Sequence, residues 1–192
     1  MECRPGAWFG GDFVTKIPTA IGWKWIGTRG KIESALLLEL PAQNMQVRDA
    51  LAMMMDRFLE EMLVADVVVG HYIRGFDLPL LNNIQIRLGR SPLPDVMAQD
   101  TKLDLAKIHG ISKSLENLGS LLSLSHPKVH MSAPDWERAY EGNGGLDSQR
   151  KRVEGDVRLN IVLRKKLLEL GFLGAPKAWT SSSSQSSGRY QA

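Results

Sequence analysis

The stretch DVVVGHYIRGFDLPLLNNIQIRLG, residues 66–89, decides how the rest of the chain is read. Its opening run, Val67, Val68 and Val69, is too short for a helix and wholly β-branched, as suits a buried strand. Residues 70–76 form a break. Beyond it Leu80, Leu81, Ile84 and Leu88 recur at helical spacing, Pro79 stands where a first turn tolerates proline, and Gly89 is a stop signal. The reading is strand, loop, helix, with Asp77 at the junction. The plain role for Asp77 is an N-cap on the helix it precedes. The same position has a functional reading, because α/β folds place their chemistry at the C-terminal ends of strands.

Working outward, Val47, Leu51, Met54, Phe58 and Met62 keep a period near 3.6, so an amphipathic helix precedes the stretch, with Asn44 as its cap and its methionines as core filler. Before that helix, residues 19–26 and 32–40 read as a β-hairpin, with Ile21, Trp23 and Trp25 on one face, and residues 1–18 read as loop. After the stretch come a short strand over 96–101, a short helix over 103–108 and a helix capped by Ser112 or Ser114 with Leu115, Leu118, Leu121 and Leu122 as its stripe. Ser132 and Asp135 spell a capping box for a helix carrying Trp136 and Tyr140. A last helix over about 148–170 sets Val153, Val157, Ile161 and Leu168 on one face, and Gly171 ends it. The serine-rich residues 175–192 read as a disordered tail that deletion would leave without consequence. No internal repeat is present.

Composition sets the bounds. The 192 residues suit one α/β domain, residues 1–174, and 43% hydrophobic with 23% charged residues describes an ordinary globular chain. No apolar run approaches the roughly 18 residues of a membrane span, so no membrane partner is expected. The first ten residues do not read as a signal peptide, and the single cysteine, Cys3, excludes an intrachain disulfide and fits a reducing cytosol, so the expected compartment is the cytoplasm. The charge of +3 permits a polyanionic partner without demanding one.

There is no P-loop, no dinucleotide-binding glycine pattern and no cysteine cluster, and Pro127 between His126 and His130 argues against a histidine pair on one helix face. What remains is a set of carboxylates, Glu2, Asp77, Asp100, Asp104 and Asp156, of the kind magnesium or manganese prefers. Surface solvation is the ordinary fate of such residues. Asp156 follows Gly155 in mid-helix, where glycine costs about 1 kcal/mol and often marks close backbone approach. By helical spacing it shares a face with Leu159 and Leu163, at the edge of the buried side.

Five segments together resemble a known family: GHYIRGFDLPLL (70–81), QDTKLDLAK (99–107), SLENLGSLLSL (114–124), KVHMSAPDWERAYEG (128–142) and VEGDVRLNIVLRKKLLELGF (153–172). In order and spacing they are similar to the DEDD 3′–5′ exonucleases, in the branch of the proofreading domain of family B DNA polymerases, over most of residues 17–172. The resemblance implies a ribonuclease H-like mixed sheet flanked by helices. It implies two Mg2+ or Mn2+ ions held by Glu2, Asp77 and Asp156, and hydrolysis of the 3′-terminal phosphodiester of DNA or RNA. Glu2 matches the glutamate of the Asp-x-Glu first motif, Asp77 the second-motif aspartate and Asp156 the third. The implied partner is the 3′ end of a single strand, held by Tyr72, Arg74, Phe76 and Arg152, in a bacterial or phage-like setting.

Three departures stand out. The Asp of Asp-x-Glu would precede Met1, so the first central strand is expected to be largely missing and the activity of the chain impaired. Tyr72 stands where relatives often have asparagine, and Arg152 or Lys151 where they carry tyrosine or histidine. The alternative is a non-catalytic nucleic-acid-binding or scaffolding domain that keeps the fold.

Overall fold

The computed structural model describes residues 2–5, 16–39, 46–141 and 145–181, with the backbone alone for 2–5, 16, 140 and 141. In it, β2 (Lys16–Trp23) pairs antiparallel with β1 (Glu2–Pro5) on one side and β3 (Glu33–Leu36) on the other. Ile17, Thr19, Ala20 and Ile21 are each at most 6% exposed. Burial in succession, without alternation, requires cover on both faces of the strand. Ile17 and Ile21 join Leu51, Met54 and Met55 of α1 (Val47–Leu63) and Leu81 and Ile84 of α2 (Leu78–Leu88) in the main core. Ala20 and Leu36 pack against Val153 of α5 (Leu146–Glu169) on the other face. Each such fully buried Leu, Ile or Met contributes roughly 1.5–3 kcal/mol.

The second sheet has the order β4-β5-β6, with β4 (Val68–Gly70) parallel to β5 (Val96–Asp100) and β5 antiparallel to β6 (Lys177–Trp179). A third cluster gathers Leu105, Leu115 and Leu118 under Leu159, Leu163 and Leu167 of α5, which brings α3 (Leu115–Leu121) against the long helix. Ahead of α5, α4 (Ala133–Glu141) opens on a reciprocal cap: Asp135 N donates to Ser132 Oγ at 3.3 Å and Ser132 N to Asp135 Oδ2 at 3.0 Å. The chain is thus a mixed α/β structure with five helices among the described residues and helices on both faces of the first sheet.

Several expectations are corrected. Part of the expected N-terminal loop is strand, β1, paired with β2; four residues, ECRP, are too few to show a sustained period. Strand β2 starts and stops earlier than the tryptophan alternation suggests, leaving Trp25 at 41% exposure. Val67, Val68 and Val69 are half-buried, because β4 is the outermost strand of its sheet among the described residues. The buried stripe of α5 is Gln149, Val153, Leu159, Asn160, Leu163 and Leu167, whereas Leu168 is 40% exposed. Leu121, expected in the stripe of α3, is likewise exposed, and it is Gly119 that lies against Leu159.

The tail is also corrected. Its first part is β6, and Trp179, 6% exposed, packs into the main core. A three-residue strand has no period to read. Asn44 and residues 182–192 lie outside the described residues.

Candidate functional site

Parallel pairing in the register Val68↔Ala98, Val69↔Gln99, Gly70↔Asp100 ends β4 and β5 at the same level, so the residues that follow each strand emerge side by side. Asp100, fully buried, ties the two exits together. Its Oδ1 accepts the N–H groups of Tyr72, Lys102 and Leu103, each at 2.9 Å, and its Oδ2 accepts that of Arg74 at 3.0 Å. Bonds from N–H groups to a buried carboxylate are among the stronger ones available to a backbone. They hold residues 72–74 in one geometry.

That geometry is a single π-helical turn, Ile73–Asp77, leading into α2. It starts at Tyr72, a non-glycine residue at φ 68°, and it needs Gly75, where a Cβ would come within 2.3 Å of Tyr72 Cε2. Because the backbone is already helical at Asp77, its carboxylate makes no capping hydrogen bond, although it occupies the capping position. The plain expectation for Asp77 is therefore corrected. The residue is half-buried, and burial, reinforced by the charge of Asp100, raises its pKa above the ordinary carboxylate value.

Around this turn lies a layer of supporting contacts. Asp104 Oδ2 accepts Asp100 N at 3.0 Å, while Asp104 Oδ1 takes Arg74 Nη2 at 2.5 Å and Lys177 Nζ at 2.6 Å. Burial pushes the Asp104 carboxyl up, but the bonds from Lys177 and Asp100 N–H and the charge of Arg74 outweigh it and hold it below the ordinary range. Thr101, fully buried, donates its N–H to Gly70 O at 3.0 Å, and its Oγ1 lies 3.0 Å from His71 Nδ1 and accepts Asn160 Nδ2 at 2.8 Å. Burial lowers the His71 pKa from 6.5 to about 4. The imidazole is neutral at pH 7.

Asp156 comes to this region on α5. It is half-buried, one turn before Asn160, and preceded by Gly155, where a Cβ would lie 2.7 Å from Val129 Cγ2; the close approach expected of that glycine is present. Arg152, a turn earlier, donates to Val129 O at 3.0 Å and stands 5.6 Å from the Trp136 ring.

No family model matches the sequence, and no curated protein matches it.

Of the residues singled out from sequence, Tyr72, Arg74, Phe76 and Asp77 share the π-turn, and Asp77 senses Asp100. Asp156 stands one helical turn before Asn160, which donates to Thr101 at that strand end. Arg74 is committed to Asp104, and Arg152 faces α4 and the 129 loop. Glu2 lies in β1, paired with Ala20, and its side chain is outside the described residues. Among the described residues no group of three His, Cys, Asp or Glu side chains is placed to hold a metal ion. Asp77 and Asp156 are carboxylates, the donor type that a hard cation prefers.

Sequence reasoning missed the roles of Asp100, Asp104, His71 and Lys102. Half of the Asp100 signal was readable: an aspartate closing a strand, with Lys102 and Leu103 N–H groups in reach, is an Asx-type turn. The other half, its grip on Tyr72 and Arg74, spans nearly thirty residues of chain and exists only in the fold.

Proposed function

We propose that this chain is a ribonuclease H-like nuclease domain that removes nucleotides from the 3′ end of a single DNA strand in the presence of Mg2+ or Mn2+. The observation that carries the reading is Asp77: a half-buried carboxylate at the end of the π-turn that Asp100 organises, with its proton affinity raised by burial and by Asp100. Asp77 and Asp156, with Glu2, would hold the ions, which when bound supply an activated water and stabilise the leaving oxygen. Asp100 and Asp104 orient the loop that carries Asp77. Arg74 serves through Asp104 as a positioning residue, and Tyr72 and Phe76, on the same turn, would contact the strand.

The test is release of a 3′-labelled nucleotide from a single-stranded oligodeoxynucleotide with Mn2+ or Mg2+ against EDTA. Metal-dependent release that falls at least 100-fold in Asp77→Asn and Asp156→Asn supports the reading; release unchanged by EDTA overturns it. A second reading, a binding domain without hydrolysis, is favoured by one observation. Arg152, which with Lys151 stands where the resembled exonucleases carry a tyrosine or histidine, is engaged with Val129 and Trp136. Strand binding with no release in either metal would select it.

A further inference from the structure

Tyr72 is a bulky residue at φ 68°, ψ 23°, a left-handed conformation that such side chains avoid. Asp100 enforces it, since the same carboxylate oxygen accepts the N–H groups of Tyr72 and Lys102 at 2.9 Å each. The phenol ring is not put away: it lies against Gly75 and remains 36% exposed, and Lys102 Nζ stands 4.0 Å from its centroid. Backbone strain of this kind persists only where the surroundings over-determine it, and it clusters at active sites and ligand clamps. Here it holds an aromatic ring, with a cation on its face, at the start of the turn that ends in Asp77.

We propose that Tyr72 and Lys102 form a clamp for the terminal nucleotide of a single-stranded nucleic acid, the base stacking on the phenol ring while Lys102 swings from the ring to a phosphate. The choice of ligand rests on the nuclease reading. The chemistry is complementary at both ends. Every base offers a π-face, so stacking on an exposed aromatic is strong and indifferent to sequence. The contact of a solvent-accessible lysine with a ring is weak, and its flexible stem lets the ammonium move to a phosphate oxygen without disturbing the fold. The clamp recognises a strand end and reads no bases.

The experiment is fluorescence anisotropy of a short 5′-labelled oligodeoxynucleotide in EDTA, so that nothing is cleaved, with an intact or an abasic 3′ terminus. Tyr72→Asn is the decisive variant, because asparagine tolerates left-handed backbone and the protein should keep or raise its Tm. It should bind the intact terminus about tenfold more weakly than wild type, Tyr72→Trp should retain affinity, and the abasic terminus should abolish the difference. Lys102→Gln should lower the salt dependence by about one counterion. Equal binding by wild type and Tyr72→Asn, or no binding by wild type, overturns the clamp. Release with Mn2+ is scored separately. A protein that binds through Tyr72 but releases nothing supports the clamp and fails the nuclease reading; one that releases nucleotides with no sensitivity at Tyr72 does the reverse.

Discussion

His71 is the residue whose protonation the fold resists most visibly. Its ring is packed between Thr101 and the Lys113 backbone, and burial holds its pKa at about 4 against an ordinary 6.5. The unfolded chain takes this proton as pH falls below 6.5, while the fold takes it only near pH 4. The stabilisation from neutral His71 is therefore complete above pH 6.5 and is lost as pH falls through that window. One pKa unit corresponds to about 1.4 kcal/mol, so the loss is on the order of 2–3 kcal/mol after allowance for the part-exposed ring. Asp77, with its pKa raised, works in the opposite direction as pH falls, so the comparison must be made against a variant. Urea unfolding at pH 7 and pH 4.5 should show a clear drop for wild type and a smaller one for His71→Gln. The same drop in both proteins would mean that His71 is not the group responsible.

Between elements, α5 comes close to the loop holding Val129. Gly155 breaks the rule against glycine in mid-helix, and the packing gives the reason: a methyl group there would lie 2.7 Å from Val129 Cγ2. Gly155→Ala gains about 1 kcal/mol of helix propensity but overpacks a contact, at a cost of roughly 1–3 kcal/mol. The expected net is a loss of about 1 kcal/mol in chemical denaturation. In a Val129→Ala background the overlap is gone, and the same substitution should become stabilising. If Gly155→Ala stabilises the wild-type background as well, the loop is not packed on the helix as described. The approach matters for the site because Asp156 is the next residue along α5.

At the scale of the molecule, the C-terminal strand closes one edge of the second sheet and reaches both core and site. Trp179 fills the main core beside Ala98, and Lys177 bonds Asp104, which in turn holds Arg74 and the Asp100 backbone. Gln99 adds a bond from Nε2 to Gly174 O at 2.7 Å. Trp179→Ala should therefore lower the unfolding free energy by about 3–5 kcal/mol, the usual cost of emptying a buried tryptophan site. Truncation after Gly174 should cost at least as much, and a melting temperature unchanged by truncation would show that β6 does not dock. Among the described residues no helix is long and apolar enough to cross a membrane.

Sequence alone determined the elements that carry their own signal over several turns or a complete strand–loop–helix. Helix α1 and its methionine core, α2 with Gly89 at its end, the Ser132–Asp135 cap and the junction position of Asp77 all follow from local periodicity and capping chemistry, which act over a few residues. Only the tertiary structure decided the rest. ECRP became a strand because β2 was there to pair with it, and Leu168 was left exposed while Leu167, beside Leu159 and Leu163, took the buried place in the cluster shared with α3. Asp77 lost its capping role because Asp100 drew the preceding loop into a π-turn. Each of these outcomes depends on partners far along the chain, and a period or a cap in the sequence records only what a residue meets nearby.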